Sequence, residues 1–437
     1  MLRRLLLVLA LLLTALPAGA VTVERVVSPK GIEAWLVQDH ANPIISMDVA
    51  FRGGAALDPP GKAGLATMTS GLLDEGAGPL DSLAFQQKLE DLAIELEFNA
   101  GKDNIRGSLK TLTEHRDTAF DLFRLALTQP RFDKEPVERV RSQILTMLAR
   151  ELQDPDAVAA RAWYRAMFPN HPYGTPARGT PETIKAIGAA DLKGFVKAHF
   201  ARDRLLVGVV GDITPEQLGP LLDATFGGLP ASAGPVKVAD VVPDATGKVT
   251  VIERPNPQSV AVFGEAGLKR ADPDWYAAYV MNYILGGGGF SSRLTEEVRE
   301  KRGLAYSVYS YLAPMDHSAL IVGGVATENG RVADSLELIR GEWRRLREQG
   351  PSDKELDDAK TYLTGSFPLQ MESTGAIAGL LVLMQLDRLG IDYLDKRNGY
   401  IQAVTLDQVR GIARRLLDPE RLTFTVVGKP AGLVSPR

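Results

Sequence analysis

The chain has no cysteine and only five histidines, so any metal it holds must be bound by histidine, aspartate or glutamate. His40, His115, His171, His199 and His317 are far apart in sequence, and no two of them stand four residues apart as a ligand pair on one helical face would. Glu114-His115 is half an inverted metal motif, but nothing ligand-like stands four residues before or after His115. A second candidate region is Gly286 to Gly289, followed by Phe290-Ser291-Ser292-Arg293-Leu294 and a charged stretch that ends in tyrosines. Four glycines let the backbone approach another chain closely. No Gly-Lys-Ser/Thr follows them and no strand-to-helix G-x-G-x-x-G with a fitting acid is present, so nucleotide phosphate is excluded. Within the charged stretch, Arg299 alone reads equally well as a solvated helix charge, and Tyr306 alone as a core aromatic.

The elements around these residues follow from local signals. One of the two serines can cap a helix running to Arg302, Gly303 fits the left-handed position that ends it, and Leu304 to Leu312 alternates like a strand. A repeat organises the whole chain: Ala189 to Gly211 aligns without gaps onto Leu406 to Gly428, matching Gly194 to Gly411, Arg204 to Arg421 and Val209-Val210-Gly211 to Val426-Val427-Gly428. Both copies read as a helix, a turn and an apolar strand ending at glycine. Strands are expected at Ala34 to Val37 and Ile44 to Phe51, and again at Lys248 to Glu253 and Ser259 to Gly264. Helices are expected at Ser82 to Leu92, Leu112 to Leu127, Pro136 to Leu152, Asp274 to Leu285, Val332 to Gln349 and Asp353 to Leu363. The fold expected is α+β: two homologous domains, each a mostly antiparallel sheet with helices packed on one face, forming a clam-like chamber. The boundaries expected are 21–228 and 248–437, joined by a Gly/Pro-rich linker over 229–247.

Two stretches carry a family resemblance that extends over almost all of the chain beyond residue 20. Gly53-Gly54-Ala55-Ala56-Leu57-Asp58-Pro59-Pro60-Gly61-Lys62-Ala63-Gly64-Leu65-Ala66 and the block from Gly286 to Tyr309 resemble the pitrilysin and insulin-degrading-enzyme family, the inverzincins. Catalytic members place His-x-x-Glu-His on a helix directly after the first stretch. Here the next residues are Thr67-Met68-Thr69-Ser70-Gly71, so Thr67, Ser70 and Gly71 are degenerate positions of the metal motif. A catalytic zinc needs about three protein ligands and an open position for water, which threonine and glycine do not supply. The family's downstream carboxylate ligand falls near Leu145-Thr146-Met147-Leu148, where there is no acid; Glu151 lies one turn on.

The resemblance implies a metal-free subunit with no cofactor of its own, with zinc expected in a homologous partner subunit carrying His-x-x-Glu-His and a peptide as substrate. In the family an arginine near the end of the second block's helix, and a tyrosine after it, hold the substrate backbone; Arg299 and Tyr306 occupy those places. A guanidinium offers fixed donors to peptide carbonyls, and a phenol can donate to an oxygen that gains charge. Arg293 and Arg302 read as surface or linker contacts, Tyr309 and Tyr311 as cavity residues, and His171, in Asn170-His171-Pro172-Tyr173-Gly174, as a loop holder. A second reading is a peptide-binding or assembly factor that has lost catalysis.

At 45% hydrophobic and 24% charged residues, the composition excludes disorder and collagen, and the absent cysteine excludes a disulfide scaffold. Arg3 and Arg4 precede an apolar run from Leu5 to Leu13 and then Pro17-Ala18-Gly19-Ala20, which reads as a secretory signal cut near Ala20 and implies a periplasmic or secreted protein. The run is shorter than the ~20 residues of a spanning helix, so no stable membrane span is expected. Loss of the two leader arginines takes the formal net charge from −4 to −6 (48 basic against 54 acidic residues), which disfavours nucleic acid as a partner.

Overall fold

The structure, a computed structural model, describes residues 21–235 and 237–433. The expected leader over residues 1–20 lies outside the described residues. The first half runs β1 (Glu24–Val27), β2 (Glu33–Gln38), β3 (Ile44–Arg52), α1 (Leu65–Ser70), α2 (Ser82–Asp91), β4 (Glu95–Ala100), β5 (Asn104–Leu112), α3 (Arg116–Thr128), α4 (Lys134–Glu151), α5 (Pro155–Met167), α6 (Pro181–Ala186), α7 (Ala189–His199), β6 (Leu205–Gly211) and α8 (Pro215–Phe226). The second runs β7 (Val249–Glu253), β8 (Gln258–Ala266), α9 (Trp275–Asn282), β9 (Ala305–Pro314), β10 (Ala319–Glu328), α10 (Val332–Gln349), α11 (Asp353–Gly365), α12 (Thr374–Leu386), α13 (Tyr393–Gln402), α14 (Leu406–Leu416) and β11 (Thr423–Gly428).

The strands form two sheets, ordered β1-β2-β6-β3-β5-β4 and β7-β11-β8-β10-β9. All pairings are antiparallel except β2 with β6 and β7 with β11. The sequence repeat is α7–β6 and α14–β11, and its two strands take the same seat: β6 lies between β2 and β3, β11 between β7 and β8. The α+β class therefore stands, with the two sheets related as the repeat requires.

Period-two alternation explains how each sheet packs. In β3, Ile45, Met47, Val49 and Phe51 enter a core shared with α3, α4, α7 and α8, whereas Ser46, Asp48, Ala50 and Arg52 face the other way. That second face is covered by α12, a helix of the second half. Ser46 Oγ is 2.8 Å from Thr374 Oγ1, Arg52 Nη2 donates to the carbonyls of Gln385 and Leu386 at 3.1 and 2.8 Å, and Gln385 donates to Val207 O at 2.9 Å. In exchange α5, from the first half, covers β8 and β11 of the second sheet, where Trp163 is fully buried and its Nε1 donates to Thr423 O at 3.0 Å. Both approaches need a glycine: a Cβ at Gly264 would lie 2.8 Å from the Trp163 ring, and one at Gly208 would lie 2.6 Å from Ala378 O. Beyond the helices expected on one face, each sheet thus has its other face closed by a helix of the opposite half, and the two halves are interlocked. Among the described residues no single helix is long and apolar enough to cross a membrane.

One buried acid sets a pH dependence. Glu265 of β8 is 3% exposed and accepts from Trp343 Nε1 at 2.7 Å and from Asp418 N at 3.0 Å. Burial pushes its pKa up to about 8. The folded chain therefore holds a proton that the unfolded chain has lost, and the stabilisation present at low pH is lost as pH rises from about 4.5 to about 8. Glu265→Gln keeps an acceptor for Trp343 without the charge. Its unfolding free energy in urea is expected to gain several kcal/mol on the parent between about pH 5 and 9, at about 1.4 kcal/mol per pKa unit. Parallel pH profiles for the two proteins would contradict this.

Candidate functional site

The Gly286 to Tyr311 block is built against the end strand of the second sheet. A Cβ at Gly286 would lie 2.7 Å from Ser310 N, so only glycine lets this turn sit on β9. Asn282 Nδ2 donates to Ser310 O at 3.1 Å and Thr295 Oγ1 to Val308 O at 3.3 Å, so side chains occupy two carbonyls of β9. Ser292 caps the next turn, accepting from Thr295 N at 3.4 Å. The expected ordinary helix to Arg302 is instead wound as a π-helix over Thr295–Glu300, as Tyr283–Gly287 also is. Such wide turns are rare and concentrate at functional sites. The segment ends at Gly303, with φ of 59°, in the left-handed region its residue type suits.

Arg299 is held between two aromatic rings, with its guanidinium carbon 4.6 Å from the centre of Phe290 and 5.0 Å from that of Tyr306. Tyr306 is the extra residue of a β-bulge: Ala326 faces Ser307 and Thr327 faces Ala305, leaving Tyr306 unpaired. The bulge sends Ala305 and Val308 into the core and turns Tyr306 and Ser307 out. Tyr306 is 80% exposed and Phe290 70%, so Tyr306 is not a core aromatic. Tyr309 and Tyr311 line a cleft of about 590 Å³ between α9, β9 and α12.

Of the two neighbouring arginines, Arg302 is exposed as expected and Arg293 is not. Arg293 is not a surface contact: it is 8% exposed, forms two hydrogen bonds to Glu355 of α11 at 2.5 and 2.8 Å, and donates to Gly350 O at 3.1 Å. A charge taken this far from water needs a fixed carboxylate, and the pair clamps the π-wound segment onto α11. Arg302 bonds to Glu297 O at 2.8 Å and to its carboxylate; hydrogen bonds from Lys301 and Arg302 hold the Glu297 pKa down to about 2. His171 accepts from Tyr173 N at 3.2 Å and bonds through its other ring nitrogen to Ala239 O at 2.9 Å, which fixes a loop.

The degenerate motif lies on α1. Asp58 starts this helix by accepting from Gly64 N and Ala66 N at 2.8 and 2.9 Å, while burial raises its pKa to about 7. Thr67 Oγ1 donates to Ala177 O at 2.8 Å, and Ser70 Oγ donates to Thr67 O at 2.9 Å. These positions, with Gly71, line a cleft of about 550 Å³ together with Phe98 to Ala100 of β4, Glu151 of α4, Arg161 of α5, and Arg178. Glu151, one turn beyond the expected ligand position, does reach the cleft. Its carboxylate is paired with Arg178 at 2.5 Å and Arg161 at 3.4 Å. Among the described residues no three His, Asp or Glu side chains come together to hold a metal. A zinc ion does not fit this donor set: the hydroxyl of Thr67 is committed to a carbonyl, Gly71 has no side chain, and the one carboxylate is bound by two cations.

Among the described residues no hydrogen bond or ring contact joins Arg299 or Tyr306 to Thr67, Ser70 or Gly71. Other tyrosines of β9 face the first half here: the Tyr309 pKa is raised by burial and then by the charge of Asp156 in the first turn of α5, and burial also raises the pKa of Tyr164 of α5 and of Tyr311. Sequence reasoning missed Arg161 and Arg178, which lie outside both family-like stretches and carry no motif.

Two interlocked sheets and a motif cleft stripped of its ligands define a two-domain peptidase-like chain with a degenerate metal centre. The family models agree: residues 34–181 match the insulinase family, peptidase family M16, and residues 186–363 match the model described as the peptidase M16 inactive domain. The chain belongs to the M16 family. The non-peptidase homolog YmxG of Helicobacter pylori is 29% identical over 415 residues, covering 94% of this chain and 95% of that protein. An uncharacterized zinc protease of Streptomyces coelicolor is 28% identical over 424 residues, covering 94% and 90%. The crystal structure of a peptidase M16 inactive domain from Pseudomonas fluorescens superposes with a TM-score of 0.88 at 29% identity, covering 95% of this chain and 99% of that one. A protease from H. pylori shares the fold, with a TM-score of 0.84 at 18% identity.

Proposed function

We propose that this chain is the metal-free subunit of a heteromeric, periplasmic zinc peptidase that cleaves unfolded or short peptides. A homologous subunit carrying His-x-x-Glu-His would supply the metal and the hydrolytic water. This chain contributes Arg299 and Tyr306, which bind the peptide backbone, and one wall of the chamber. The observation that carries the reading is the outward-facing stack Phe290–Arg299–Tyr306: two aromatic rings 70% and 80% exposed, with a guanidinium held between them. A fold gains little from such a surface, whereas a peptide or a second chain would cover it.

The interlocking of the halves supports the same division. With α5 and α12 exchanged, the halves of this chain cannot open and close on a substrate as separate jaws, so an enclosing wall has to come from another subunit. The apolar run ahead of Ala20, read as a secretory signal, supports a location outside the cytoplasm. In size-exclusion chromatography, mixing the chain with the homologous subunit should give one co-eluting species. Two unshifted peaks at micromolar concentration would count against a heteromer.

A further inference from the structure

We propose that the cleft left by the degenerate metal motif binds the C-terminal carboxylate of an extended peptide, with Arg161 and Arg178 as its recognition residues. This rests on the reading that the chain holds peptides, but it assigns a separate site on the first half. The charged side chains lining the cleft are Glu151, Arg161 and Arg178, two cations against one anion. Glu151 takes one contact from each guanidinium, at 3.4 Å from Arg161 and 2.5 Å from Arg178, and among the described residues neither arginine has another partner. Each guanidinium carries five N–H donors in a planar fork, so most of the donor capacity of these two cleft-lining residues is not taken up by Glu151. A second carboxylate is the ligand that such a fork fits in charge and shape.

The surroundings favour a chain terminus. The cleft runs along Phe98, Asn99 and Ala100 of β4, the end strand of its sheet. Among the described residues no side chain donates to the carbonyls of β4, in contrast to Val308 and Ser310 of β9. An extended peptide can pair with such an edge through its backbone, and its end then reaches the two guanidiniums. Thr67 has a part in this geometry: where the family motif has its first histidine, its hydroxyl ties α1 to Ala177, directly before Arg178. The cleft has become a place for an anion held by arginines.

The test is fluorescence anisotropy with the full chain and three labelled peptides of one sequence: free acid, C-terminal amide, and amide with aspartate as the last residue. The free acid is expected to bind about tenfold more tightly than the plain amide, the difference one charge-assisted hydrogen-bond pair supplies. Arg161→Gln with Arg178→Gln should abolish the preference. Glu151→Gln, which frees both guanidiniums, should enlarge it, a gain that a merely structural ion pair would not give. Equal binding of acid and amide, a weaker preference in Glu151→Gln, or an aspartyl amide as tight as the free acid would each overturn the proposal. Equal binding leaves the peptide-holding reading standing. If none of the peptides binds, this site falls, and turnover of the mixed complex decides the rest.

Discussion

Arg299→Ala is expected to lower turnover of the mixed complex by about a hundredfold or more, because removing one preorganised donor at a reacting carbonyl typically costs 10²–10³ in rate. The fold should hardly notice. Arg299 touches the rings of Phe290 and Tyr306 and lies 3.4 Å from Glu300, all at the surface, and exposed cation–π contacts contribute about 0.5–1 kcal/mol. Tyr306→Phe separates the two roles of the stack: the ring that flanks Arg299 stays and the hydroxyl goes, so turnover should fall while the unfolding midpoint stays where it was. Steady-state rates on an unstructured peptide, with circular dichroism melts of each variant, check both. An unchanged rate for Arg299→Ala would remove this residue from peptide binding; an unchanged rate for Tyr306→Phe would do the same for the phenol.

The largest effect on stability is expected at Trp163. Its indole is fully buried between the halves, it packs over Gly264 of β8, and its Nε1–H is satisfied by Thr423 O of β11. Trp163→Ala empties that space and leaves a carbonyl unpaired, at a cost of about 3–5 kcal/mol. Trp163→Phe retains most of the apolar contact and loses the donor, at about 1 kcal/mol. Because α5 ties one half to the other, the alanine variant should also lose cooperativity, with separate unfolding transitions for the two sheets. Urea unfolding followed by fluorescence and far-UV circular dichroism measures this. A loss under about 1 kcal/mol with one sharp transition would mean that the exchanged helix does not join the halves.

How far the sequence could be read depended on the range of each interaction. The repeat of helix, turn and glycine-ended strand placed β6 and β11 correctly because its signals lie within about twenty residues. The β4–β5 hairpin is absent from the expected strands, and the helix expected from Leu112 starts at Arg116, since Asn104–Leu112 is a strand. The exchange of α5 and α12 left only indirect traces: near-continuous apolar runs such as Leu205 to Val210 signal strands buried on both faces without saying by what. In α12 the run Ile377 to Leu386 is almost wholly apolar because the helix lies between a sheet of the first half and helices of its own.

At the candidate sites the same limit holds. The loss of ligands at Thr67, Ser70 and Gly71 is a local fact and was legible. That Glu151 shares their cleft with Arg161 and Arg178 depends on how α4, α5 and the segment after His171 pack, which no motif encodes. The burial of Arg293 is hidden for a related reason: its partner, Glu355, lies on another helix, and only their meeting makes a surface-type residue buried. The bulge that exposes Tyr306 depends on register against β10, so its outward direction could not be read from alternation alone.

The division of labour proposed for this chain is tested most directly by zinc content and peptide cleavage measured in the same preparations: the chain alone, the homologous subunit alone, and the two mixed. The chain alone should contain well under one zinc per molecule and cleave nothing, while the mixture should cleave an unstructured peptide faster than the partner by itself. Stoichiometric zinc with hydrolysis by the isolated chain, or a mixture no faster than the partner alone, would contradict it.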